Sequence, residues 1–197
     1  MAANRWLSWS MLPRDGSMAN NNAPIWVGTL EAGHASGFSL KSISNNILPN
    51  GSVGSLHVVS NGQPLAAIAP VAKEDPADPS VYGFSAGIGE FGHTVILPRA
   101  AKNAGGRSTS YLVMNPNGTT VTVTETFYNE DGTTAKSPPS SSYTLNGNGS
   151  DGRNQALDGG LSNGWQGSIV LEATQPIVVI MREVHGGAVG AYNGALR

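Results

Sequence analysis

Residues 167–184 read GSIVLEATQPIVVIMREV, and this stretch decides the fold because it joins two runs of strand-forming residues. The runs at 168–173 and 177–184 are rich in β-branched side chains, which are favoured in strands. Pro176 stands just before the second run, where its missing N–H and fixed φ are tolerated. We therefore predict a β-hairpin over 167–184.

A diverged copy of this stretch, GSLHVVSNGQPLAAIAPV, occurs earlier at residues 54–71. In both copies a Gly-Ser pair opens the first run and a Gln-Pro pair precedes the second. A period of about 113 residues (167 minus 54) is too long for a solenoid and suits tandem domains. Further matches lie outside the two stretches: LPNG at 48–51 with LSNG at 161–164, TL at 29–30 with TL at 144–145, and VYG at 81–83 with AYN at 191–193.

The repeat divides the chain into parts, with a domain boundary near 87–93. Upstream of Thr144 the second copy has two predicted strands, near Tyr111 and over 120–128, whereas only 28 residues precede Thr29. The first domain is therefore expected to be an incomplete version of the second. The predicted parts are an N-terminal extension with a candidate donor strand (1–24), an incomplete β-sandwich domain (25–92) and a complete β-sandwich domain (93–197).

Alternating polarity predicts strands throughout the chain. Residues 120–128, TVTVTETFY, give the clearest pattern, as in a half-buried antiparallel strand. Shorter β-rich runs occur at 6–12, 25–30 and 38–43, and the sequence EDGT at 130–133 predicts a turn. No run keeps apolar residues at helical spacing for three turns. The predicted fold class is all-β, with two tandem antiparallel β-sandwich domains, the first incomplete.

The composition limits the function. Only 12% of the residues are charged and the net charge is −2, so nothing points to nucleic acid as a partner. The absence of cysteine excludes disulfides, thiolate catalysis and cysteine-bound metal. No apolar run approaches the length of a transmembrane helix, so we predict no membrane insertion.

The second domain resembles a known class of repeats. Its pattern consists of YLVMNPNGTTVTVTETFY at 111–128, DGT at 131–133, GSIVLEATQPIVV at 167–179 and AYNG at 191–194. This pattern is similar to the tandem immunoglobulin-like or fibronectin-like repeats of bacterial, Chloroflexota-type, extracellular and cell-surface proteins. The sequence LPRAAKN at 97–103 resembles the linker that joins such repeats. The resemblance implies a β-sandwich and an extracellular or cell-surface location, and it carries over no catalytic residues.

Some short strings imitate catalytic motifs. GFSAG at 83–87 fits the nucleophile-elbow pattern around Ser85, but the sequence that follows cannot form the helix that the motif needs. Two G-x-G-x-x-G strings, at 87–92 and 147–152, also lack the helix that would hold a pyrophosphate. Because no acid/base pair or nucleophile can be assembled, we predict no enzyme, no catalytic residue and no cofactor.

The loop at 146–154 collects oxygen donors from Asn146, Asn148 and Asp151, as calcium loops do. It lacks the ordered carboxylates and the closing glutamate of an EF-hand, so a turn is the main interpretation and calcium the alternative. The histidines show no metal-ligand spacing, and we predict no metal site. They are His34, His57, His93 and His185.

The candidate site is the strand predicted over 6–12, in which apolar residues alternate with serines. An incomplete sandwich leaves an apolar groove and unpaired edges, which another chain can complete. A donated strand gains affinity from backbone pairing and specificity from alternate side chains. The predicted polymerisation residues are Trp6, Leu7, Trp9, Met11 and Leu12.

These features favour a structural, self-assembling subunit of an extracellular filament, sheath or surface layer. Its copies would be joined by strand complementation, and its partners would be other copies of itself in a homopolymer. Such a contact is head-to-tail and need not close into a ring. The alternative is a passive adhesin-like or spacer binding module of a longer surface protein, whose contact with a surface glycan or the cell wall is left open.

Overall fold

Antiparallel strands make up most of the chain. The computed structural model describes residues 5–13, 15–17, 19–21, 23–31, 33–37, 39–44, 46–48, 54–62, 65–72, 82–88, 90–186 and 188–197. The all-β prediction is confirmed, since the helices in this described part are two three-residue 3-10 turns, Leu40–Ser42 and Gln155–Leu157. The strands are β1 Arg5–Pro13, β2 Trp26–Leu30, β3 Gly54–Ser60, β4 Ile68–Ala72, β5 Tyr82–Ala86, β6 Gly92–Lys102, β7 Arg107–Met114, β8 Val121–Asn129, β9 Ser140–Leu145, β10 Ser150–Asn154, β11 Trp165–His185, β12 Ala188–Asn193 and β13 Ala195–Leu196.

Strand β11 is the centre of the C-terminal unit, which we define as β6–β13. Its first part, up to Ala173, lies between β6 and β8. Its last part pairs with β7 from Val178 onward and, on the other side, with β12 from Ile180 onward. The front sheet has the order β9-β8-β11-β6-β13, and the back sheet has the order β10-β7-β11-β12. The hairpin predicted over 167–184 is wrong, because both runs belong to one strand that passes from one sheet to the other.

The change of sheet occurs over residues 173–176. The pairing of β11 with β6 shifts register between Glu172 and Ile177. Side chains bind the backbone at this point: Asn117 Nδ2 donates to the Pro176 carbonyl at 2.8 Å, and His93 Nδ1 lies 3.1 Å from the Ala173 carbonyl. Pro176 therefore lies where the ladder is interrupted and its missing N–H is tolerated. The Gln-Pro pair marks a change of sheet and not a turn.

One hydrophobic core fills the space between the front and back sheets. The alternation predicted for 120–128 is confirmed, since Val121, Val123 and Phe127 are buried. Trp165 closes one end, with its ring edge-on to Phe127 at 5.8 Å and its Nε1 donating to Asn129 Oδ1 at 3.1 Å. The other core residues from the strands are Val95, Leu97, Tyr111, Val113, Leu145, Ile169, Leu171, Ile177, Val179 and Met181.

The N-terminal unit, which we define as β1–β5, contains a three-stranded sheet of order β2-β1-β3 and a pair, β4-β5. The strand predicted over 38–43 is wrong, because residues Leu40–Ser42 form a 3-10 turn. The Ser42 hydroxyl donates to the Ser39 carbonyl at 2.6 Å, a local bond that competes with strand pairing. Phe38 lies outside the described residues.

The predicted linker at 97–103 is also wrong, since it lies in β6 as far as Lys102. Leu97 and Ala100 are buried in the core of the C-terminal unit, and Ala101 is also buried. The two units approach each other where β5 lies beside β12. In the part of the chain that is described, no helix is long and apolar enough to cross a membrane.

Candidate assembly site

Strand β1 holds the predicted polymerisation residues, and it is paired within its own chain. It lies between β2 and β3, so that Leu7 is opposite both Gly28 and Ser60. Leu7 and Leu12 are buried, each 3% exposed. The side chains of Trp6, Trp9 and Met11 lie outside the described part of the chain. In this closed form, β1 completes the sheet of its own N-terminal unit.

The pairing register identifies β1 as the counterpart of β8. Val123 of β8 lies opposite Tyr143 in β9 and Ala173 in β11. These two residues are the repeat counterparts of the two residues opposite Leu7. Tyr143 and Gly28 each precede a shared Thr-Leu pair, while Ala173 and Ser60 each stand six residues after a shared glycine. Both neighbours therefore assign Leu7 to the position of Val123.

The turns that follow β1 and β8 support the same correspondence. Asp15 Oδ1 accepts hydrogen bonds from the Ser17 N–H at 2.9 Å and from the Ser17 hydroxyl at 2.7 Å. Asp131 Oδ1 accepts the equivalent bonds from Thr133 at 2.9 and 2.6 Å. The glycine between them has a φ of 83° in both turns, a conformation that glycine adopts readily. Hydroxyl and backbone hydrogen bonds lower the pKa of both aspartates.

Two strand edges are open in the N-terminal unit. Among the described residues, β3 pairs only with β1, and β4 pairs only with β5. In the C-terminal unit, by contrast, β6 and β7 cover the other side of β11. The counterparts of β8, β9 and β12 are β1, β2 and β5, and no described strand takes the place of β6 or β7. We refer to the open edges of β3 and β4, which lie in separate sheets, and to the apolar side chains Leu56, Val58 and Leu65 together as the strand slot.

The apolar side chains of the strand slot are incompletely buried. Leu56 and Val58 are half-buried, whereas their counterparts Ile169 and Leu171 are both 0% exposed. Leu65 is 37% exposed. These apolar side chains of the N-terminal unit are therefore less buried than their counterparts in the C-terminal unit.

Most of the exposed large apolar side chains precede the C-terminal unit. Of the eight large apolar side chains that are exposed in the described part of the chain, six precede residue 92, including Val59 and Ile68. Strand β3 carries a single titratable side chain, His57, and has neither lysine nor proline. Proteins usually protect a sheet edge with such residues. An unprotected edge beside exposed apolar side chains is a surface suited to strand addition.

The loop that suggested calcium makes the contacts of a turn. The Asn146 carbonyl accepts from Gly149 N at 3.0 Å and from Asn115 Nδ2 at 2.9 Å. Asp151 lies in β10, where its Oδ2 is 3.1 Å from Arg153 Nε. Asn148 has a φ of 59°, in the left-handed region that asparagine tolerates. In the described ranges, no three His, Cys, Asp or Glu side chains are grouped so that they could hold a metal ion.

A buried acidic side chain, Glu125 of β8, lies between the two sheets of the C-terminal unit. Its Oε2 accepts a short hydrogen bond from the Tyr111 hydroxyl, and its Oε1 accepts from the Ser141 hydroxyl at 2.8 Å. Burial, reinforced by the negative charge of Glu125, raises the pKa of both Tyr111 and Tyr143. The Arg153 guanidinium lies 4.0 Å from the centre of the Tyr143 ring. This cluster links β7, β8, β9 and β10 across the two sheets.

The serine of the string at 83–87 is part of an ordinary strand pair. Ser85 lies in β5, opposite Ala69 in β4. The described residues between β5 and β6 form no helix, and the Gly87 N–H donates to the Ala67 carbonyl at 2.8 Å. A groove of about 390 Å³ lies nearby and is lined by a single acidic residue, Glu90, among mainly apolar neighbours such as Ile88 and Val179.

The fold and the strand slot define an all-β protein of antiparallel sheets, with two facing sheets in its C-terminal unit. No protein-family model matches the chain, and no curated protein matches it. The chain is similar to the protein in the structure titled "Crystal Structure of Thermotoga maritima 1070". The identity is 16%, the match covers 54% of this chain and 95% of that chain, and the TM-score is 0.46. At this level the similarity carries no argument about function.

Sequence reasoning found β1 but not its role within the sheet. The shared Asp-Gly at 15–16 and 131–132 was the available signal, because it places the strand before it in the same position of the repeat. The incomplete first domain stays a prediction. The edges of β3 and β4 that have no described partner became visible only through the pairing of these strands.

Proposed function

We propose that this protein is a structural, self-assembling subunit of an extracellular filament, sheath or surface layer, whose copies are joined by strand complementation. The observation that carries the proposal is the position of β1, which pairs with β2 on one side and with β3 on the other and so holds the three-stranded sheet of the N-terminal unit together. Such a strand can be exchanged between copies because its backbone pairing and its buried side chains Leu7 and Leu12 make the same contacts in either chain. The location outside the cell rests on the resemblance of the second domain to surface repeats.

The donor in this proposal is β1, with Trp6, Leu7, Trp9, Met11 and Leu12. In the closed chain β1 joins β2 to β3, which do not pair with each other. A copy that gives its β1 to a neighbour and receives another in return keeps the same pairs and registers. The exchange therefore changes connectivity without changing the contacts within each sheet, as in domain swapping.

A passive adhesin-like or spacer module is the second candidate. It is favoured by the closed C-terminal unit, in which two complete sheets enclose one core. It is also favoured by the weakly charged chain, which offers no strong electrostatic attraction to a partner. In that function, the protein would remain monomeric and β1 would stay in its own sheet.

The test compares the full chain with a variant that lacks residues 1–12, using light scattering and electron microscopy. The full chain is expected to form long polymers that persist on dilution, and the deletion variant is expected to form none. Hydrogen exchange in β11 should remain slow in the deletion variant, because the C-terminal unit keeps its own core. A monomeric full chain at all concentrations would defeat the assembly proposal and favour the spacer.

A pair of substitutions provides the matched control. Leu7→Asp places a charge at a buried position of β1 and should prevent polymers. Thr122→Asp adds the same charge to the exposed face of β8, the counterpart strand, and should leave polymers intact. Polymers that survive both Leu7→Asp and the deletion would show that another surface joins the copies.

A further inference from the structure

We propose that a loop of the C-terminal unit, at 146–149, is a docking site for the turn at 15–17 of the N-terminal unit, and that this contact acts as a latch on β1. The turn begins two residues after the end of β1, so whatever holds the turn also holds that end of the strand. We call 146–149 the docking loop. The docking contacts lie within a single chain, and only their consequence for assembly rests on the exchange of β1 between copies.

Backbone atoms of the two units meet at Gly16. A Cβ added there would overlap the Gly147 carbonyl oxygen and would lie 2.9 Å from Gly149 N, so the approach needs a glycine. Beside this contact, Asn146 Nδ2 donates to the Asp15 carbonyl at 3.4 Å. The turn therefore meets the docking loop through its backbone and through one side-chain amide.

The docking loop is held in place by its own unit. Asn115 is fully buried, and its Nδ2 donates to the Asn146 carbonyl at 2.9 Å. The Asn115 N–H donates to the Gly149 carbonyl at 2.9 Å, and the Asn148 N–H donates to the Asn117 carbonyl at 2.8 Å. A surface that is already fixed in this way loses little conformational freedom when the turn docks on it.

The equivalent turn of the C-terminal unit has the same backbone geometry without such a contact. Gly16 and Gly132 both have a φ of 83°. Gly16 is half-buried, whereas Gly132 is exposed and a Cβ added to it would meet no described atom within 4 Å. The conformation of the turn therefore does not explain the burial of Gly16. The burial comes from the docking loop.

The latch gives β1 a second attachment. Within the N-terminal unit, β1 is held by its pairing with β2 and β3. Release of β1 breaks these pairs and also lifts the turn from the docking loop. A copy that receives β1 together with its turn offers its own docking loop, so the contact is regained after the strand is exchanged. An interaction that is present at both ends of a process and lost between them changes the rate and not the equilibrium. The latch therefore slows strand exchange.

Hydrogen exchange of the full-length protein tests the latch from the side of the turn. Gly16→Asn keeps a residue that tolerates the left-handed φ but adds a side chain against the docking loop. Hydrogen exchange in β1 should become at least about tenfold faster. Gly132→Asn is the matched control, because its side chain enters open space. Hydrogen exchange in β1 should then stay within about twofold of the parent.

A second pair of variants changes the C-terminal unit alone. Gly147→Ala should displace the docking loop, because the added Cβ would overlap the Gly118 carbonyl oxygen. Hydrogen exchange in β1 should again become at least about tenfold faster, while slow exchange in β11 shows that the C-terminal unit is still folded. Gly118→Ala is the control in the neighbouring loop, where the added Cβ meets no described atom within 4 Å, and it should leave β1 unchanged.

The consequence for assembly has its own measurement. Light scattering should show that Gly16→Asn and Gly147→Ala form polymers at least about threefold sooner than the parent, because β1 leaves its sheet more readily. The final amount of polymer should be the same, since closed and exchanged copies lose the same contact. The two control variants should polymerise at the parent's rate.

The contrary results are distinct. Unchanged hydrogen exchange in β1 in either Gly16→Asn or Gly147→Ala would overturn the latch, and so would equally fast hydrogen exchange in the control variants. If the parent polymerises, unchanged or slower polymer formation in the two latch variants would also overturn it. If the parent forms no polymers, the proposed exchange of β1 fails, whereas hydrogen exchange in β1 still decides whether the turn is docked.

Discussion

Leu65 and Ile177 stand at matching positions of the internal repeat, immediately after the Gln-Pro pair, yet Leu65 is 37% exposed and Ile177 is fully buried. The difference in side-chain exposure comes from the neighbouring strands. Ile177 belongs to strand β11, which pairs with β6 and β7 along one side. The matching side of β3 and of β4 has no partner among the described strands. The same sequence element is thus core in one unit and partly surface in the other.

Core substitutions should have unequal effects in the two units. Ile169→Ala removes a fully buried side chain and is expected to destabilise the C-terminal unit by about 2–5 kcal/mol, because it leaves a cavity. Leu56→Ala, at the matching half-buried position, should cost clearly less. Denaturant titration followed by hydrogen exchange in β11 and β3 measures each unit. Equal losses at the two positions would mean that the N-terminal core is filled.

Gly167→Ala should destabilise the C-terminal unit, because an added Cβ would overlap the backbone oxygen of Tyr128 in the neighbouring strand β8. We expect a loss of about 1–3 kcal/mol in the free energy of unfolding. Gly152→Ala is the control, since its nearest new contact would be Leu112 Cδ1 at 4.0 Å and its effect should stay within about 0.5 kcal/mol. Urea melts measure the free energy of unfolding of both variants. An unchanged free energy for Gly167→Ala would show that β8 and β11 can separate.

Stability should decrease at alkaline pH because Tyr111 is buried against Glu125. Its folded pKa is raised above the unfolded value of about 10, so the stabilisation is complete below that pH and decreases as the pH rises above it. Tyr143 acts in the same direction. Urea melts between pH 9 and 12, with tyrosinate absorbance, measure the effect.

Tyr111→Phe provides the control for this alkaline effect. It should remove about 1–3 kcal/mol at neutral pH, because Glu125 loses a hydrogen-bond donor while remaining buried. It should also flatten the alkaline decrease, since one of the two buried hydroxyls is gone. An unchanged slope would mean that Tyr111 does not carry the effect.

The aspartate turns should make stability depend on pH on the acid side. Hydrogen bonds from Thr133 lower the folded pKa of Asp131 below its unfolded value of about 3.9. Its contribution is therefore present above that pH and is lost as the pH falls through the folded pKa. Asp131→Asn keeps an acceptor but removes the titration, so its melts should vary less between pH 2 and 5 than those of the parent.

Asp15→Asn makes the matching change in the N-terminal unit, where Ser17 provides the hydrogen bonds. It should flatten the acid dependence of hydrogen exchange in β1 while leaving β8 unaffected. Asp131→Asn should do the reverse. A change in both strands from either single substitution would show that the two units unfold together.

Several elements could be predicted from local sequence. The alternation at 120–128 gave β8, and the EDGT turn follows it, because side-chain periodicity and turn chemistry are properties of neighbouring residues. The connection through Gln175-Pro176 could not be resolved in this way. A proline that interrupts a ladder is compatible with a hairpin or with a change of sheet, and the choice depends on which distant strands lie beside it.

By itself, the sequence determined the all-β class, the internal repeat and the existence of a strand over 6–12. Only the tertiary structure decided that β11 is one continuous strand, that β1 lies in the position of β8, and that β3 and β4 each have one edge without a partner among the described strands. The physical reason is that a strand has two edges and two faces, and its own residues specify mainly the faces. Which edges are paired depends on partners far away in the chain, such as the residues opposite Leu7 in β2 and β3.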